Sequence, residues 1–156
     1  IPLFLKMKKN GIFSVTDKRM TRFNITLTEG VNFVISSLER MIGGEIFVPK
    51  IPSYRILDLV KAISSNGKVK ILGIRPGEKI HEKMISEEDA LTTYEYDDYY
   101  KILPVINNWG NDANRIQLGK KVESGFEYDS GKNKEIMTQD QLIDWINKNQ
   151  HKLDKI

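Results

Sequence analysis

The stretch "KVKILGIRPGEK", residues 68–79, decides how this chain is read. Lys68 to Leu72 read as a buried strand that runs into a tight turn at Pro76-Gly77. A turn needs only the proline and the glycine. Arg75 and Glu78 on either side call for a chemical reason. In α/β sheets, ligand contacts gather at strand ends. An arginine there can present a fork of donors to phosphate oxygens, and a carboxylate one turn later can accept hydrogen bonds from a pair of hydroxyls. A second basic cluster, Lys18-Arg19-Met20-Thr21-Arg22-Phe23, precedes the first long helix, and one of its arginines would reach the same diphosphate if the two segments meet. The plainer reading is surface charge beside a turn. The residues alone leave both open.

Working outward, Val31, Val34, Ile35, Leu38 and Ile42 recur at spacings of three and four and predict a helix over 28–42. Thr26 with Glu29 has the capping-box spacing, and Gly43-Gly44 supplies the stop. Glu45 to Val48 predict a short strand closed by Pro49. A second helix is expected from about Ser53, with Ile56, Leu59, Val60 and Ile63 on its buried side. The order helix, strand, helix, strand with short connections is an α/β signature. Ser86 to Asp89 suit a short helix start. Residues 107–135 are rich in Asn, Gly, Asp and Lys and read as loop. Thr138 with Gln141 caps a last helix whose apolar side is Leu142, Ile143 and Ile146. The expected division is an α/β domain over 1–106 and a loop-rich segment over 107–156 that ends in a helix.

The chain has 156 residues, 40% of them hydrophobic and 29% charged, which suits one domain with a buried core. A net charge of +3 from 24 basic and 21 acidic residues is too balanced to argue for nucleic acid. There is no cysteine, so disulfides and thiolate metal sites are excluded and a cytoplasmic location is expected. No apolar run approaches a membrane span, and no signal peptide is visible. Because the first residue is Ile1, the expectation is that the chain continues further at its N-terminus. His81 and His151 lack the spacing of a zinc site. No Gly-x-Gly-x-x-Gly follows a strand. Tyr128 and Lys132 have the Tyr-x-x-x-Lys spacing of short-chain dehydrogenases, but Gly131 and its polar neighbours argue against the helix that pairing requires.

The blocks "VTDKRMTRFNITLTEGVNFV", "GGEIFVPKIPS", "IRPGEKIHEKMISEEDA" and "TYEYDDYY" stand in this order. Together they resemble the C-terminal half of inverting UDP-N-acetylglucosamine 4,6-dehydratases, extended short-chain dehydrogenases/reductases of polysaccharide and flagellin-sugar biosynthesis. The resemblance implies the C-terminal, substrate-binding portion of a Rossmann-type α/β enzyme, with few short strands and three or four helices. It implies that Arg22 and Arg75 contact the diphosphate of a UDP-sugar and that Glu78 holds the ribose. Ser14, Val15 and Thr16 would line the uracil, with Arg19 and Met20 in the same pocket. NADP would serve the full-length lyase, contacted mainly by an N-terminal part, in cis or in trans, that carries the glycine-rich loop and the catalytic Tyr and Lys. No cofactor is expected on this chain alone. The substrate would be UDP-N-acetylglucosamine or a related UDP-sugar, and the full-length enzyme a homo-oligomer.

A rival expectation is a non-catalytic interaction module derived from that fold, with Thr92 to Tyr100 as its aromatic interface. Nucleic-acid binding through Lys6-Met7-Lys8-Lys9 and the basic residues of 18–22 is weaker, because both clusters are short.

Overall fold

The computed structural model describes residues 1–153, so the last three residues of the expected 107–156 segment lie outside it. In chain order the elements are α1 (Pro2–Lys8), β1 (Ile12–Val15), β2 (Thr21–Phe23), α2 (Leu27–Arg40), β3 (Ile46–Pro49), β4 (Ser53–Arg55), α3 (Ile56–Ile63), β5 (Lys68–Ile71), β6 (Lys83–Ile85) and α4 (Glu87–Ala90). There follow β7 (Thr93–Glu95), β8 (Tyr99–Ile102), a 3-10 turn (Ile106–Asn111), α5 (Ala113–Ile116), β9 (Lys120–Lys121), β10 (Tyr128–Asp129) and α6 (Gln139–Leu153). The chain divides into two compact units. One comprises Ile1–Asn24, Pro52–Glu82 and the residues from Ser130 on; the other comprises Ile25–Ile51 and Lys83–Asp129.

In the first unit, α3 buries Ile56, Leu59, Val60 and Ile63, the four residues that its periodicity selects. They pack with Leu142 and Ile146 of α6 and with Phe13, Val15, Met20 and Tyr54. Burial of each such aliphatic side chain contributes about 1.5–3 kcal/mol. The expected start of α3 at Ser53 is corrected. Ser53 to Arg55 pair antiparallel with Phe23 to Thr21, and the helix begins only at Ile56. The Thr138–Gln141 cap forms as its spacing predicts, with Thr138 N–H donating to the Gln141 amide oxygen and Gln141 N–H to the Thr138 hydroxyl.

β1 and β5 run parallel, with Val15 beside Ile71. The expectation of a buried strand over 68–72 is also corrected, since all four residues of β5 are exposed. Alternation explains half of this. Phe13 and Val15 of β1 face the core, but β5 is the outer strand of a two-stranded sheet and no described element covers it.

In the second unit, β3, β8, β7 and β9 form one antiparallel sheet in that order. "TYEYDDYY" folds into the β7–β8 hairpin, where Tyr96 N–H closes the turn onto the Tyr99 carbonyl. Tyr94, Tyr99 and Tyr100 are buried, so this aromatic run is internal packing and not the surface of an interaction module. The Tyr and Thr residues suit paired strands, and cross-strand packing holds the hairpin. The stretch expected as loop over 107–135 contains the 3-10 turn, α5, β9 and β10. It is organised by a buried charge cluster. Lys101, 2% exposed, donates to the Arg115 carbonyl, while Arg115 pairs with Glu45 at 2.9 Å and stacks over Trp109. Burial lowers the pKa of Lys101, and the nearby cations Arg40 and Arg115 add to that, with Glu45 opposing. Burial alone would raise the Glu45 carboxyl, but N–H donors from Gly43, Glu45 and Ile42 and the charge of Arg115 hold it below its ordinary value.

Tyr96 donates to the Ile116 carbonyl. Burial, then neighbouring Tyr99, Tyr94 and Glu45, pushes its phenol up to about 12. The neutral form is the folded form, so its contribution is full below the unfolded value of about 10 and is lost as pH rises toward 12. Tyr96→Phe should remove this part of the alkaline destabilisation, seen as a smaller fall in urea midpoint between pH 9 and pH 11.5. An identical fall in both proteins would show that Tyr96 does not carry it.

Candidate functional site

Arg75-Pro76-Gly77-Glu78 forms a turn closed by Glu78 N–H donating to the Arg75 carbonyl at 3.1 Å. Pro76 presets the first central position, and Gly77, at φ +80°, takes the left-handed second one, the signature of a type II turn. The turn lies just beyond the C-terminal end of the parallel β1–β5 pair. Two further bonds extend that ladder, from Leu72 N–H to the Val15 carbonyl and from Gly73 N–H to the Thr16 carbonyl. Thr16 then donates its hydroxyl to Glu78 at 3.0 Å, and the other Glu78 oxygen accepts the Arg75 N–H. Glu78 is thereby aimed and fixed by a residue just past β1 and by the turn itself. The Arg75 guanidinium is exposed and makes no hydrogen bond or ion pair to any described residue.

Arg22 is placed differently. Three of its five N–H groups donate to the carbonyls of Thr21, Ile80 and Lys79, and its Nε faces Glu82 at 3.3 Å. It ties β2 to the segment just after the turn and keeps part of its donor capacity. Arg19 forks onto Asp17, with Nε and Nη2 each 2.9 Å from a carboxylate oxygen. That hydrogen bond, with the Arg19 backbone N–H, holds the Asp17 carboxyl at about 2. Val15 and Met20 belong to the core, so their side chains face inward; the Val15 carbonyl accepts from Leu72 and the Met20 carbonyl from Ile56. Ser14 sits half-buried on β1. The structure therefore brings Thr16, Arg75 and Glu78 to one strand end and ties Arg22 to the segment that follows.

Sequence reasoning missed the junction that holds this segment down. Thr21, 4% exposed, donates its backbone N–H to the Ile80 carbonyl. Its hydroxyl is 2.8 Å from His81 Nδ1 and 2.6 Å from Ser130 Oγ, and Ser130 is fully buried. Glu82 N–H donates to Ser130 Oγ. One arrangement gives each hydroxyl hydrogen an acceptor: Ser130 donates to Thr21, Thr21 donates to His81 Nδ1, and the ring hydrogen sits on Nε2. Gly131 is required beside it, because a Cβ there would lie 2.6 Å from His81 Nδ1. Thr21 and Ser130 are 109 residues apart, and no local pattern could have joined them. Tyr128 and Lys132 lie in a strand and a turn, and the Tyr128 hydroxyl is bonded to the backbone of Ile51.

These features, a mixed α/β fold with a strand-end turn presenting a free guanidinium and an anchored carboxylate, suit the extended short-chain dehydrogenase, Rossmann-type class. The chain belongs to the polysaccharide biosynthesis protein family, whose model matches residues 1–104. It is 47% identical over 154 residues to a UDP-N-acetylglucosamine 4,6-dehydratase (inverting) of Campylobacter jejuni, covering 94% of this chain and 46% of that protein. It is 38% identical over 107 residues to a UDP-glucose 4-epimerase of Rickettsia canadensis, covering 65% of this chain and 31% of that protein. A crystal structure described as Pen from Bacillus thuringiensis matches with a TM-score of 0.77 at 28% identity, over 96% of this chain and 45% of that one. The chain thus spans about half the length of the dehydratase and of the Pen chain. Among the described residues, no helix is long and apolar enough to cross a membrane.

Thr21→Val should cost about 1–3 kcal/mol of stability, because it leaves the Ser130 hydrogen buried without an acceptor, whereas Thr21→Ser should keep most of it. Urea denaturation at neutral pH measures both. An unchanged midpoint for the valine variant would mean that the hydroxyl chain contributes nothing.

Proposed function

We propose that this chain is the UDP-sugar-binding part of an inverting UDP-N-acetylglucosamine 4,6-dehydratase. The observation that carries the proposal is the strand-end turn, in which Glu78 is held by Thr16 while the Arg75 guanidinium is left facing solvent. The identity to the Campylobacter dehydratase supports the choice of substrate class. Arg75 supplies a charged fork to the diphosphate. Arg22 fixes the 79–82 segment and adds its charge and remaining donor capacity from the other side of that segment. The second Glu78 oxygen, bonded only weakly to the turn at 3.3 Å, accepts from a ribose hydroxyl. Ser14 and Thr16, with Val15 through its backbone, offer the uracil a strand end, Arg19 stands beside it through the Asp17–Arg19 pair, and Met20 backs that wall from the core.

NADP serves the family reaction as hydride carrier. The described residues do not fit it: Gly73 and Gly77 frame an open turn that leads into extended chain, not into a helix, and Tyr128 and Lys132 do not share a helix face. The contribution of this chain is therefore binding and orientation. Energy from the nucleotide contacts holds the sugar in register for chemistry carried by other groups.

Isothermal titration should show UDP binding at least tenfold more tightly than UMP. Arg75→Ala should weaken UDP by about 10- to 100-fold, the value of one charge-assisted contact of about 1.5–3 kcal/mol. Lys61→Ala, on an exposed side of α3, should leave it unchanged. Equal affinities for the two nucleotides, or equal losses in the two variants, would overturn the clamp.

A further inference from the structure

Alternation along the parallel β1–β5 pair sorts its side chains onto two faces. Phe13 and Val15 point into the core, with Val69 and Ile71 beside them in register. Ser14 and Thr16 therefore belong to the opposite face, together with Lys68, Lys70 and Leu72, and Lys70 is the register partner of Ser14. That face leads into the Arg75–Glu78 turn, because the Leu72 and Gly73 N–H groups extend the ladder to the carbonyls of Val15 and Thr16. Starting from the turn, it presents in order the Arg75 guanidinium, the Glu78 carboxylate held by Thr16, and the Ser14–Lys70 pair. A nucleoside diphosphate carries its groups in the same order: diphosphate, ribose, base.

Lys70 has no task in the fold. It is exposed, and it makes no hydrogen bond or ion pair to any described residue. Residues 1–16 and 59–77 contain no Asp or Glu, so no carboxylate from α1, β1 or its own strand neutralises it. Leu72, 48% exposed, follows on the same face and gives a flat ring an apolar seat between the ammonium and the turn.

We propose that Lys70 is a specificity-determining residue that reads the base of the nucleotide at its 4-position. The inference rests on the UDP-sugar reading and deepens it. With the ribose at Glu78 and the base laid along Ser14, the ring edge farthest from the sugar points toward Lys70. Ser14 and Lys70 stand about 6.6 Å, two strand residues, further from the turn than Thr16. Uracil presents an oxygen at the 4-position, which accepts, whereas cytosine presents an amino group, which donates. A lysine ammonium has three donors and no acceptor, so it bonds the first and opposes the second. The Ser14 hydroxyl, which both donates and accepts, could not make that distinction. Lys68 carries the same charge but sits beside Ile12, one step beyond the ring.

Isothermal titration of the 156-residue chain with UDP and with CDP tests this. The wild-type chain should bind UDP about tenfold more tightly than CDP, because the wrong base leaves a donor facing a donor. Lys70→Ala should bring the two affinities within about threefold, mainly by weakening UDP. Lys70→Arg keeps a donor-only cation and should retain most of the preference, and Lys68→Ala should leave it unchanged. A lysine that only added charge would weaken UDP and CDP alike when removed, so the ratio isolates base reading. UDP bound with a UDP-to-CDP ratio that Lys70→Ala does not move, or that Lys68→Ala moves as far, would overturn the inference and leave the UDP-sugar reading standing. No UDP binding at all would overturn that reading, and this inference with it.

Discussion

Thr21 is the point at which three separated stretches of the first unit are held together. Its N–H and hydroxyl bind the Ile80 carbonyl, His81 and Ser130, and its own carbonyl accepts from Arg22. Burial makes these bonds obligatory, since a hydroxyl without a partner in that position costs its full desolvation. The segment from Arg75 to Glu82 is exposed or half-buried throughout and contributes no residue to the core. Its course is fixed by the Thr21 junction, the Arg22 bonds to Lys79 and Ile80 and the Glu82–Ser130 bonds at one end, and by the Thr16–Glu78 bond at the other. The proposed binding turn therefore owes its geometry to groups that do not themselves face a ligand.

The same logic explains why the arginines of the basic cluster have diverged in role. Arg19 is neutralised locally by Asp17, two residues away, and stays exposed. Arg22 spends most of its donors on carbonyls across the unit. Arg75 follows a positive-φ glycine at residue 73 and precedes a turn, and no described acidic group reaches its side chain. Charge count made these residues equivalent; backbone geometry separated them. In the second unit the charged groups do the opposite job. Lys101, Arg115 and Glu45 form a closed interior set between aromatic rings, which organises a stretch whose composition suggested only loop.

Much of the first unit was legible in the sequence. The α3 stripe, the Thr138 cap and the Arg75–Glu78 turn depend on side chains within a few residues of one another, and local chemistry settles them. The tyrosines of the hairpin over 93–102 read as an exposed interface because the strands that pair with β7 and β8 lie at a distance along the chain, in β3 and β9. The Thr21–His81–Ser130 junction was invisible, because nothing local couples residues 60 and 109 positions apart. The partnership of Arg115 with Glu45, across 70 residues, was hidden for the same reason.

The two amphipathic helices mark the boundary most clearly. Sequence alone determined that α2 and α3 are helices, where the α2 cap lies and which arc of each is apolar, because periodicity and capping are properties of a few consecutive residues. It did not determine burial. In α3 the apolar arc meets Leu142 and Ile146, whereas in α2 an arc of similar width points away from its own unit. Burial needs a second surface of matching shape, and where that surface comes from is decided by the tertiary structure, by distant residues brought together or left without a partner.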